Sequence, residues 1–152
     1  MCIRDRRWCW RLRWAQRFGL PLMPALLAEI RDPLAVAERL QLPHRQHRLL
    51  AQFLTVRQRL GAALGDPSQL PGSPSDWSAV LEQPGGSAEA VAMALLVAAG
   101  PRRPLLRWWL CWRHLKAGES AASLMASGMG PGPELGRRLR QLRNERLDRE
   151  RL

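Results

Sequence analysis

Nowhere in these 152 residues do apolar and polar side chains alternate as a half-buried strand requires. Apolar positions instead recur three and four apart, the spacing that lines one face of a helix. Ala, Leu, Arg, Gln and Glu dominate the composition, and most are strong helix formers. Prolines and glycines cut these periodic stretches into short pieces. The expected fold is therefore all-α, an irregular bundle of about eight short helices.

The pieces can be placed in order. Trp10, Trp14 and Phe18 recur every four residues and form a helix face seeking a core, ended by the break from Gly19 to Pro24. The alternation of arginine and tryptophan in this stretch also suits stacking on bases and pairing with phosphates. A short helix is expected from Pro24 to Ile30. Asp32 caps the next, with Pro33 in its first turn, running to Gln41. Pro43 opens a longer one to about Leu64, striped by Leu49, Phe53, Val56, Leu60 and Ala63 and ended by Gly65.

Asp66 to Ser75 reads as a loop or hinge. Ser75 or Asp76 is expected to cap a short helix carrying Trp77, Val80 and Leu81. Ser87 caps another, apolar on most sides around Val91 and Leu95, which marks it as a buried core helix. From Arg102 to Ala117 the pattern predicts a basic helix. Leu105, Trp109 and Trp112 share one face, with Leu106 and Leu110 beside them. Arg103, Arg107 and His114 share the other, flanked by Arg113 and Lys116. Gly118 ends it, and Ser120 starts a short helix holding Leu124 and Met125.

Charge divides the chain unevenly. The net charge is +11, yet residues 20–100 hold six Arg against seven acids. Residues 101–152 hold eleven Arg and one Lys against five acids, the footprint of a surface that meets a polyanion. Three parts are expected: an N-terminal segment (1–18), a helical body (19–100) and a basic helical tail (101–152). Met1-Cys2-Ile3-Arg4-Asp5-Arg6 reads as a translated sequencing adapter, which would make the chain the back end of a longer protein.

No apolar run is long enough to span a bilayer, and the basic start lacks the apolar core of a signal peptide. Cys2, Cys9 and Cys111 form no C-x-x-C pair, which argues against a disulfide framework or zinc site and suits a reducing cytoplasm. His44 and His47 stand three apart, but no further ligand completes a metal set nearby. His114 with Cys111 lacks an orienting third group, so Cys111 is expected in the core and His114 at the surface. No P-loop, nucleophile elbow or paired-carboxylate motif is present, and no catalytic residue is assigned.

The run from Gly128 to Arg143 carries the most chemistry. A glycine turn, Gly128-Met129-Gly130-Pro131-Gly132, opens through Pro133 into an arginine-rich helix. Free backbone N–H groups and the positive dipole end favour a phosphate there. Leu135, Leu139 and Leu142 line one side of the helix; Arg137, Arg140 and Asn144 line the other, with Arg138 and Arg143 on the flanks. The candidate phosphate contacts are Gly130, Gly132, Gly136, Arg137, Arg138, Arg140 and Arg143, joined by Arg103 and Arg107. From these residues alone, a solvated basic face at a helical corner explains the pattern equally well.

The tail, Leu115-Lys116 to Leu147-Asp148, resembles the C-terminal end of bacterial CCA-adding tRNA nucleotidyltransferases and the related poly(A) polymerases. Its core is Gly128-Met129-Gly130-Pro131-Gly132-Pro133-Glu134-Leu135-Gly136-Arg137-Arg138-Leu139-Arg140-Gln141-Leu142-Arg143, preceded by Leu106-Arg107-Trp108-Trp109-Leu110-Cys111-Trp112-Arg113. Residues 20–100 match loosely as the helical body before that tail. Gly118-Glu119-Ser120 replaces the family's Gly-Lys-Asp, and Arg149 replaces a glycine after Leu147-Asp148. The nucleotide motif, the metal-binding carboxylates and the base-selecting helix of the catalytic head have no counterpart.

The resemblance implies the tRNA-gripping half of such an enzyme, holding the tRNA elbow by phosphate contacts. Mg and CTP or ATP would belong to the missing head. Two other classes stay open: a helical protein-interaction module, and a helix-hairpin-helix-like DNA binder, which also places a glycine turn before a helix.

Overall fold

The computed structural model describes residues 3–66 and 70–149, with side chains from Cys9 onward. Met1 and Cys2 of the adapter-like start, and residues 67–69 of the expected hinge, lie outside the described residues. The fold is all-α, and no strand occurs among the described residues. The helices are α1 (Ile3–Arg17), α2 (Leu22–Leu27), α3 (Pro33–Arg39), α4 (His44–Gly65), α5 (Pro74–Leu81), α6 (Ala88–Leu96), α7 (Arg102–Leu110), α8 (Ala121–Ala126) and α9 (Pro133–Arg149). A single 3-10 turn, Trp112–His114, follows α7.

Local chemistry accounts for most boundaries. The Asp32, Ser87 and Ser120 side chains accept from the backbone N–H three residues on and start α3, α6 and α8. At α5 the cap is Ser73, not Ser75 or Asp76. Pro74 suits the first helical position, and Asp76 bonds back to the Ser73 N–H at 3.0 Å, closing a capping box. Pro24 lies inside α2 rather than opening it; in a first turn its missing N–H has no intrahelical partner to lose.

Four helices stop in one way. The residue after each cap has positive φ, and the next N–H reaches back to a carbonyl five residues earlier. Gly19 and Gly128 do this at φ 65° and 99°, as glycine permits. Gln41 and Ala98 do it at 51° and 53°. The closing bonds are Leu20 to Ala15, Leu42 to Ala37, Ala99 to Ala94 and Met129 to Leu124, all between 2.8 and 3.1 Å.

The core is organised around α6, where Ala90 through Leu96 are all buried. Leu49, Leu50, Phe53, Val56 and Leu60 pack the inward stripe of α4 against it. The same core takes in Ala15 of α1, Leu105 and Trp108 of α7, Trp112, and Leu147 of α9. One apolar cluster therefore reaches from the first helix to the last.

The expected helix from Arg102 to Ala117 breaks early. It ends at Leu110, where Cys111 leaves helical geometry (φ −123°, ψ −62°) and the 3-10 turn begins. Trp112 is fully buried, whereas Cys111 is exposed rather than in the core. The buried positions are Leu105, Trp108 and Trp112, with Trp109 only half-buried and Leu110 left 60% exposed. Trp108 takes the interior position, and its indole N–H donates to the Glu82 carboxylate at 3.1 Å.

Candidate nucleic-acid interface

The basic surface rests on how α9 is docked. Its C-terminal half lies antiparallel along α5 and is held at both ends. At one end Arg143 donates to both Glu82 oxygens, at 2.5 and 2.6 Å, and its Nε donates to the Leu115 carbonyl at 2.9 Å. A longer bond of 3.4 Å runs to the Trp112 carbonyl. These contacts leave the Arg143 side chain only 24% exposed. Bonding to Glu82 pushes the guanidinium pKa up, against the opposing effect of burial. At the other end Asp148 accepts from the Ser75 N–H at 3.0 Å and the Ser75 hydroxyl at 2.9 Å, at the positive start of α5. Leu147 is fully buried between the two clamps.

This docking opens a cleft of about 820 Å³ between α9 and the segment after the 3-10 turn. Arg113, Lys116 and Arg140 bring positive charge to it; Leu115, Ala117, Leu139 and Trp108 supply apolar surface, and the Arg143–Glu82 pair also lines it. Among the described residues, neither Lys116 nor Arg140 is paired with a carboxylate. Arg113 bonds to His114 at 3.0 Å, and its guanidinium carbon lies 3.8 Å from the Trp109 ring centre. Glu119 is the carboxylate on the cleft besides Glu82. The site's charge is thus positive once Arg143 and Glu82 cancel.

The residues singled out from the sequence are distributed unevenly. Arg140 and Arg143 line the cleft; Arg137, Arg138, Arg103, Arg107, Gly130, Gly132 and Gly136 do not. Arg137 is exposed and pairs with Glu134 one turn back, at 3.3 Å. Arg103 is exposed, whereas Arg107 and Arg138 are half-buried. Gly130, Gly132 and Gly136 have open space where a Cβ would stand, so nothing in the chain crowds them. Gly128, by contrast, ends α8. Arg113 and Lys116 looked like mere flanks of a helix, because the break at Cys111 has no marker in the sequence.

The aromatic start of the chain forms a row. Trp10, Trp14, Phe18 and Trp109 follow one another with ring centres 5.4–5.8 Å apart. Arg102 stands over Trp10 and Arg17 over Trp14. Trp14, Phe18 and Trp109 are half-buried and pack against the core, which supports the packing reading for them, whereas Trp10 is 41% exposed. Among the described residues no group of three metal-ligating side chains occurs, and no helix is long and apolar enough to cross a membrane.

No family model, curated protein or solved structure matches this chain. The site therefore stands on its own residues.

Proposed function

We propose that this chain grips RNA by its phosphates, as the tRNA-holding C-terminal part of a nucleotidyltransferase of the CCA-adding or poly(A) type, without the catalytic head. The observation that carries this reading is the convergence of Arg113, Lys116 and Arg140 on one cleft whose wall is pinned by Arg143 and Glu82. Phosphate contacts of this kind position RNA without reading its sequence. The resemblance of residues 115–148 to that family's tail selects tRNA among RNAs. Gly130, Gly132, Gly136, Arg103, Arg107, Arg137 and Arg138 stay as candidate phosphate contacts outside the cleft.

The test is binding of fluorescent tRNA across a salt series. Phosphate contacts from Lys116 and Arg140, with the charge of Arg113 beside them, predict that log affinity falls against log salt with a slope of about −2 to −3. Affinity that ignores salt would overturn the grip. Incorporation of labelled CTP or ATP by the pure chain would overturn the headless reading.

A second reading, a helical interaction module, has one observation in its favour. Leu106 and Leu110 stand exposed on α7 in line with the exposed Arg103. It predicts that charge reversal at Arg140 leaves tRNA binding unchanged. Competition by duplex DNA as strong as that by tRNA would instead favour a DNA binder.

A further inference from the structure

The cleft is more than a ring of charge. Leu115, Ala117 and Leu139 give it an apolar floor, with Trp108 beside them. Paired RNA shows phosphates and ribose outward and keeps its bases stacked inside. It would satisfy Lys116 and Arg140 yet leave the floor wet. An unstacked nucleotide satisfies both at once, covering apolar surface with its base while its phosphate meets the cations.

Arg113 adds to this. Stacked on Trp109 at 3.8 Å, its guanidinium is held as a flat surface at the rim, and bases stack on guanidinium planes as they do on aromatic rings. Glu119 repels a phosphate on its side of the cleft and is able to accept a hydrogen bond from a base amine. Building on the RNA-gripping reading above, we infer that this cleft holds one unpaired ribonucleotide. Its base lies on Leu115 and Leu139 against Arg113, and its phosphate lies between Lys116 and Arg140.

The test uses the full chain and three RNAs of equal stem length: a blunt duplex, the same duplex with one bulged adenosine, and a version whose bulge is an abasic ribose. The two bulged RNAs carry the same phosphates and differ only in the base. Anisotropy titrations should show the adenosine bulge binding about tenfold more tightly than the abasic one, the size of one base stack. The variant Leu139→Ser, verified as helical by circular dichroism, should lose that preference. Equal affinity for the three RNAs overturns the nucleotide site and leaves the phosphate grip standing. Absence of salt-dependent binding to any of them overturns both.

Discussion

Arg143 and Glu82 meet in a two-point ion pair across 61 residues of sequence, joining the last helix to the end of α5. Glu82 accepts a third bond from Trp108, and Arg143 donates a further one to the carbonyl of Leu115. Removing the guanidinium strands a carboxylate and at least one carbonyl at a partly buried seam. Arg143→Gln is expected to lower stability by about 1–3 kcal/mol, toward the lower end because both partners keep some solvent contact. Urea denaturation checks this as a reduced midpoint with an unchanged slope.

Charge reversal separates the cleft from the rest of the basic surface. Lys116→Glu with Arg140→Glu should weaken tRNA binding more than tenfold and reduce the magnitude of the salt slope by about two. Arg137→Glu, at an exposed position outside the cleft, should do much less. Equal losses from both variants would place the grip over the whole helix face rather than in the cleft.

Acid stability should depend on Asp76. Its carboxyl is held below the ordinary value of 3.8, first by the Ser73 side chain and also by the Ser73 and Gly72 N–H groups, against a smaller opposing effect of burial. A depressed folded value means that the contribution is complete above about pH 5, where the unfolded carboxyl is also ionised, and is lost as pH falls through the lower folded value. Between about pH 5 and pH 2 the parent chain should therefore lose stability faster than Asp76→Asn, although the parent is the more stable at neutral pH. Thermal melts of the two proteins across that range are the measurement.

Gln41 and Ala98 adopt the left-handed conformation at exposed helix ends, where a side chain costs about 1–2 kcal/mol. Gly19 and Gly128 occupy the equivalent places without that cost. Ala98→Gly and Gln41→Gly should each stabilise the chain by up to about 1 kcal/mol, once glycine's greater freedom in the unfolded chain is set against the relief. Gly128→Ala should do the opposite. Parallel urea curves of the three variants decide the matter.

Much of the helical framework was legible because it is written locally. The stripe from Leu49 to Leu60, the caps at Asp32, Ser87 and Ser120, and the start of α9 at Pro133 all follow from residues within a turn or two of one another. Other places needed the packed structure. The expected cap of α5 was Ser75 or Asp76 and the cap is Ser73, and the core face expected to hold Trp109 holds Trp108. Cys111 broke a helix whose pattern continued through it.

What the sequence by itself determined is the helical class, the order of the elements and the concentration of positive charge near the end of the chain. Hydrophobic spacing, capping bonds and charge counts need no distant partner. Only the tertiary structure decided which flank of α9 is anchored. Periodicity sets Arg140 opposite the leucines and Arg138 and Arg143 on the flanks, and names no distant partner for any of them. Arg143 turns inward because Glu82 and the Leu115 carbonyl await it there, whereas Arg140 is left at the cleft without a carboxylate among the described residues. Pairing across such a distance depends on how α5, α7 and α9 pack, and helix periodicity holds no record of that packing.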